Sequence, residues 1–156
     1  MHLCVLSSEK SWHLNDLRRA ARGEWKIDNF SFLQIADNLK QSLHHLKQYD
    51  CLLTRAMPPG SLQQVVFRMD VLLRLEQEGL RIVNPPRAIE MAVDKYLSLA
   101  RLEQAGIPVP ATAVSQSVEQ ALEHFEQLGG DVVIKPLFGS MGRGLERVGS
   151  IDSARE

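Results

Sequence analysis

Cysteine is scarce in this sequence: two residues in 156, Cys4 and Cys51, each inside an apolar run. That is too few for a disulfide framework and predicts buried free thiols in a reducing compartment. Charge of one sign is lacking too, with a formal net charge of −1, so there is no basic footprint for nucleic acid. No apolar run approaches the ~20 residues a membrane-spanning helix needs. The opening "MHLCVLSSEK" is too short for a signal peptide and has no basic start; it reads as a first strand, and the chain as cytoplasmic.

Familiar chemical motifs are missing as well. There is no G-x-x-x-x-G-K-[ST], which removes the P-loop. The glycines fall as Gly139-x-x-Gly142-x-Gly144, which is not the dinucleotide fingerprint G-x-G-x-x-G. His2, His13, His44, His45 and His124 show no metal-ligand spacing, so no metal site is expected from them. No serine has the strand–turn–helix context of a nucleophile elbow.

What is present is the composition of an ordinary soluble globular protein, 44% hydrophobic and 24% charged. The length suits one domain or two small ones. Leu3–Leu6 and Cys51–Thr54 read as buried strands, Trp25–Ile27 and Ile82–Val83 as shorter ones. Phe30–Ile35 fits an extended or a helical segment. Leu14–Ala21 is helix-compatible, and Ser61 caps a helix with Leu62, Val65, Val66, Met69, Leu72 and Leu73 at helical spacing. Pro85-Pro86 starts a further helix that runs to about Ala105 with a break near Asp94. Strand and helix thus alternate, which predicts a parallel sheet with covering helices.

After "GIPVPATAV" the texture changes. Thr112–Val114 is expected as a short strand, and Ser117–Leu128 as a helix with Val118, Ala121, Leu122 and Phe125 inward. Val132–Lys135 and Leu145–Val148 are expected to pair as a hairpin. The boundary falls near residues 88 to 95, giving units 1–90 and 91–156. Ser150 and Asp152 open a last helix.

The stretch "VIKPLFGSMGRGLERV", Val133–Val148, raises the main chemical question. A glycine-rich hairpin loop brings backbone N–H groups close to an anion, and Ser140 adds a hydroxyl donor. Lys135, alternating with a buried Val133, would carry a desolvation cost unless an anion or acceptor lay nearby. Spacing alone fits a flexible turn with a solvent-facing lysine as well as it fits a phosphate site. Lys95 by itself reads as a solvated helix residue.

The ordered combination of "DKYLSLARLEQAGIPVPAT" and "VVIKPLFGSMGRGLERV" resembles the start of an ATP-grasp fold. More narrowly, it resembles the RimK-like carboxylate–amine ligases, including alpha-glutamate ligases that extend ribosomal protein tails or coenzymes such as tetrahydromethanopterin. The resemblance spans roughly Tyr49 to Val148. It implies an α/β pre-ATP-grasp domain with a parallel sheet, followed by the first, N-terminal ATP-grasp subdomain, truncated. Lys95 and Lys135 then correspond to the two nucleotide lysines, and Gly139, Ser140, Met141, Gly142, Arg143 and Gly144 to the loop closing over the ATP phosphates. Arg55, at the end of the Cys51–Thr54 strand, stands where open α/β sheets place ligands and is a candidate for the substrate, although a surface salt bridge explains it equally well.

ATP, Mg²⁺ and a carboxylate or amino-acid substrate are the implied partners. The Mg²⁺ ligands and the catalytic residues are expected in a second subdomain outside these residues. The chain is accordingly expected to be one half of a longer or split ligase that forms no amide alone. A non-catalytic α/β module that binds a ligand or partner, with a vestigial loop, is the alternative. Self-association stays open.

Overall fold

The computed structural model describes residues 1–8, 10–39, 43, 45–139 and 142–155. The chain divides into two compact units, Met1–Ile89 and Glu90–Glu156.

In the first unit, β1 (His2–Leu6), β2 (Lys26–Phe30), β3 (Cys51–Thr54) and β4 (Ile82–Val83) form one sheet in the order β2-β1-β3-β4. All three pairings are parallel, with Leu3 opposite Ile27 and Cys51, and Leu52 opposite Ile82. A parallel sheet must be covered on both faces, and the alternation along β1 does this. Cys4 and Leu6 point into a cluster with Leu52, Ile82, Phe32 and the helix residues Met69, Val71, Leu72 and Leu75. Leu3 and Val5 point the other way, against Leu14 and Cys51. Both cysteines are buried free thiols.

Helix α1 (Trp12–Ala20) follows Ser11, whose side chain makes no cap hydrogen bond, whereas α2 (Leu62–Gln77) begins at a true cap, Ser61. Ser61 Oγ accepts from Gln64 N while Gln64 Oε1 accepts from Ser61 N, closing a reciprocal capping box. Gly79, with φ +93°, ends α2 in the left-handed backbone that glycine adopts without strain.

Phe30–Ile35, which fits either an extended or a helical segment by sequence, divides between the two: Phe30 closes β2, and Phe32–Gln34 form a single 3₁₀ turn capped by Ser31. One expectation for this unit is corrected. The buried stripe of α2 runs through Arg68, Met69, Val71, Leu72 and Leu75; Leu62 and Val66 are exposed. At about 100° per residue Leu62 lies at the edge of that stripe and Val66 on the far side of the helix, so neither faces the sheet.

Helix α3 (Pro86–Val93) spans the division between the units. In the second unit, Asp94 breaks the helical run as expected: it caps α4 (Lys95–Gln104), its Oδ1 accepting from Leu97 N at 2.9 Å. Helix α5 (Val118–Gln127) is capped by Ser117, and α6 (Ile151–Arg155) closes the chain. Strands β5 (Val132–Ile134) and β6 (Glu146–Val148) form an antiparallel hairpin. Asp131 and Arg147 close its base through two hydrogen bonds of 2.8 and 2.6 Å, and the Arg147 guanidinium holds the Asp131 carboxyl below its ordinary range.

The apolar pattern of this unit is not converted into burial. Phe125 and Val148 are its buried apolar side chains among the described residues. Val133 is 50% exposed and Val118 56%, against the expectation that both face inward; Ala121 is exposed too. A two-stranded hairpin has too little surface to cover both of its own faces. Thr112–Val114 lies outside every described strand, with no ladder partner among the described residues.

Candidate functional site

Lys95 is the first residue of α4, and the chain folds it onto the glycine loop. Its backbone N donates to Leu137 O at 3.2 Å. Its Nζ reaches Leu137 O at 3.4 Å and Gly139 O at 3.2 Å. Beside it, Asp94 and Phe138 form an isolated antiparallel bridge. The helix start and the loop, more than forty residues apart in sequence, are therefore joined through both backbone and side chain. An ammonium has three donors and no acceptor, so carbonyls are fitting partners for it.

The glycines bend the loop around Pro136. Gly139, Gly142 and Gly144 have φ of +151°, +71° and +72°. A Cβ on Gly144 would stand 3.2 Å from Pro136 Cγ, and one on Gly139 would stand 3.4 Å from the same atom and 3.8 Å from Lys95 Nζ. Gly139 and Gly144 thus combine a backbone that excludes ordinary side chains with a close approach that a Cβ would fill. Arg143 is exposed. Ser140 and Met141 lie outside the described residues.

Lys135 follows β5 directly and is exposed. With Val133 exposed as well, no desolvation argument applies to this lysine, and its Nζ makes no ion pair or hydrogen bond among the described residues. Lys95 is the lysine that the structure brings to the loop. Arg55 belongs to the first unit. Its backbone N donates to Leu6 O at 3.1 Å, and its Nη2 stands 3.1 and 3.4 Å from Nε2 and Nδ1 of His13.

Sequence reasoning missed Pro136 as the seat of the loop and His13 as the neighbour of Arg55. The proline stood in plain sight beside Lys135, but only φ values near its ring reveal its role. The sequence spacing of His13 bears on metal ligation and carries no sign of Arg55.

The displaced titrations lie elsewhere. His2 Nε2 is 2.7 Å from Asp28 Oδ2, and Tyr49 donates to the same oxygen at 3.3 Å. The His2 hydrogen bond, more than the Lys26 charge, lowers the Asp28 carboxyl. Burial, helped by the Asp28 charge, pushes the Cys4 thiol up to about 12; burial does the same to Tyr49, also to about 12. A buried thiol raised this far is an inert core residue and no nucleophile. Among the described residues no three histidine, cysteine or carboxylate side chains gather as a metal site, and no helix is long and apolar enough to cross a membrane.

Residues 92–154 match the family model described as the RimK-like ATP-grasp domain. The chain is 43% identical over 103 residues to the tetrahydromethanopterin:alpha-L-glutamate ligase of Methanosarcina acetivorans, an alignment that covers 66% of this chain and 32% of that enzyme. It is 30% identical over 155 residues to the ligase of the same name from Methanocaldococcus jannaschii, covering 95% of this chain and 51% of that one. The chain thus spans a third to a half of these relatives. A crystal structure of a RimK domain ATP-grasp protein from Sphaerobacter thermophilus superposes with a TM-score of 0.75 at 22% identity, over 99% of this chain and 57% of that one. The fold is that of the ATP-grasp proteins.

Proposed function

We propose, from the premise that this chain carries a RimK-like ATP-grasp segment, that it supplies the phosphate-binding part of an ATP-dependent carboxylate–amine ligase. The observation that carries the reading is the contact of Lys95 Nζ with the carbonyls of Leu137 and Gly139. It puts a cation and a glycine-bent backbone at one place, which is what a polyphosphate needs.

In this reading a substrate carboxylate attacks the γ-phosphorus of ATP, giving an acyl-phosphate and ADP. An amine then attacks the acyl carbon, phosphate leaves, and the amine's surplus proton passes to solvent. Lys95 and Lys135 neutralise phosphate oxygens, the first from the start of α4 and the second from the end of β5. Gly139, Ser140, Met141, Gly142, Arg143 and Gly144 cover the phosphates and keep water from the acyl-phosphate. Arg55 serves the carboxylate substrate. Mg²⁺ supplies charge stabilisation on the phosphates in such transfers; the described residues offer no cluster to hold it, and no step is assigned to it. Following the names of the relatives, glutamate is the amine, and a coenzyme or protein tail is the acceptor.

Calorimetric titration of the chain with ATP and Mg²⁺ tests this. Lys95→Ala and Lys135→Ala are each expected to weaken nucleotide binding about tenfold or more, the scale of one charge-assisted phosphate contact. Unchanged affinity in both variants overturns the assigned roles and leaves a binding module with a vestigial loop.

A further inference from the structure

The first unit has the strand order β2-β1-β3-β4 with every pairing parallel. The connection after β1 runs through α1 to β2 on one side, and β3 lies on the other. The order reverses between β1 and β3, and open α/β sheets bind ligands in the crevice outside the carboxyl ends of the strands at such a point.

The residues at that end of the sheet are unusual for a surface. Arg55 follows β3, tied to Leu6 O by its backbone. His13, in the first turn of α1, is within 3.4 Å of the Arg55 guanidinium at both ring nitrogens. A neutral imidazole has one acceptor nitrogen, so at most one of these contacts is a hydrogen bond, and most of the guanidinium's five N–H groups stay available. Arg55 pairs with no carboxylate among the described residues. The Trp12 ring lies 3.7 Å from the His13 ring, tilted by 37°, and is 68% exposed. At the same end of β1, Asn29 Nδ2 donates to Val5 O, Ser7 O and Ser7 Oγ, and Ser7 is buried.

We infer that Arg55, His13 and Trp12 form a binding site for a carboxylate carried on a planar group. Arg55 takes the carboxylate, His13 holds the guanidinium in place, and Trp12 stacks on the planar part. One permanent cation matches a monoanion better than a doubly charged phosphate ester. The inference deepens the ligase reading by naming the class of its carboxylate substrate, and it rests on that reading only for the later activation of the bound group.

The test is NMR titration of the full chain, without nucleotide, with benzoate, acetate, benzyl alcohol and phenyl phosphate. Benzoate is expected to shift the His13 ring and Trp12 indole signals, acetate those of His13 alone, and benzyl alcohol neither. Arg55→Ala should weaken benzoate at least tenfold with an otherwise unchanged spectrum, and Arg55→Lys should restore part of the binding. Trp12→Ala should weaken benzoate severalfold and leave acetate unchanged. Benzoate shifts that are absent, or that survive Arg55→Ala, overturn the site, and phenyl phosphate binding tenfold tighter than benzoate overturns the carboxylate assignment. Because nucleotide is omitted, either result leaves the roles of Lys95 and Lys135 to their own titration.

Discussion

The two units make opposite use of similar apolar material. In the first, residues alternating along β1 fill two separate clusters, and Leu6, Leu14, Leu52, Leu72 and Leu75 are almost fully sealed. In the second, helical and strand periodicities are just as regular, yet Val133, Ile134, Val118 and Tyr96 remain open to solvent. The difference lies in what each pattern is given to face. Four parallel strands offer two broad faces for helices to cover, whereas a two-stranded hairpin offers little area and no second layer. Periodicity thus specifies an orientation, and burial depends on the partner. The second unit instead spends its specific contacts on a loop, through Pro136, three left-handed glycines and Lys95.

The most damaging way to probe this contrast is to truncate apolar side chains in both units. Leu52→Ala or Leu72→Ala should destabilise the first unit by roughly 2–5 kcal/mol. Val133→Ala or Ile134→Ala should cost less than about 1 kcal/mol, as exposed positions do. Urea denaturation checks both, with thiol labelling of Cys4 as a local reporter of the first unit. Equal losses in the two units would break the contrast.

Glycine substitutions sharpen it at the next level. Gly144→Ala meets both a left-handed backbone, worth about 1–2 kcal/mol, and the Pro136 ring at 3.2 Å. Gly79→Ala, where a Cβ meets nothing within 4 Å, carries the backbone cost alone. The difference in their denaturation midpoints isolates the contribution of the proline seat; a larger loss at Gly79 would contradict it. Caps come next. Ser61→Ala and Asp94→Ala each remove an N-cap worth about 1 kcal/mol, but only Asp94→Ala should also raise amide exchange at Leu137–Gly139.

Acid produces the smallest effect and the most localised one. The Asp28 carboxyl is lowered in the folded protein, so its contribution is present above the unfolded carboxylate value of about 3.9 and is lost as pH falls through the folded value. Asp28→Asn should therefore lower stability at neutral pH, with the gap to wild type closing below about pH 4. A gap that stays constant down to pH 2 would remove His2–Asp28 from the account.

Much of this organisation was legible in the sequence, for reasons visible residue by residue. Ser61 announced the start of α2, Asp94 the break before α4, and the alternation of strand and helix the parallel sheet. The Ser31 cap went unread, because the segment behind it is a single turn and carries no helical period. Thr112–Val114 has the residues of a strand, but the ladder that makes a strand lies in another segment. The candidate roles of the lysines and the glycine loop come from the resemblance of their ordered motifs to the ATP-grasp pattern; spacing alone fits a flexible turn as well. What was illegible is which lysine meets the loop: Lys95 is distant in sequence and touches it, while Lys135 is close and makes no hydrogen bond or ion pair among the described residues. His13 beside Arg55 was hidden in the same way, since only the adjacency of β1 and β3 brings the two connections together.

The carbonyls of Leu137 and Gly139 give Lys95 something to lose. An ammonium already bonded to the loop meets an incoming anion by exchange of partners, so its measured affinity is the intrinsic one reduced by the fraction of molecules in which Nζ is released. In the proposed nucleotide role, anion capture at Lys95 and loosening of the loop's grip on α4 are then a single event, and a reporter on the loop registers the release of Nζ as well as the ligand's own contacts.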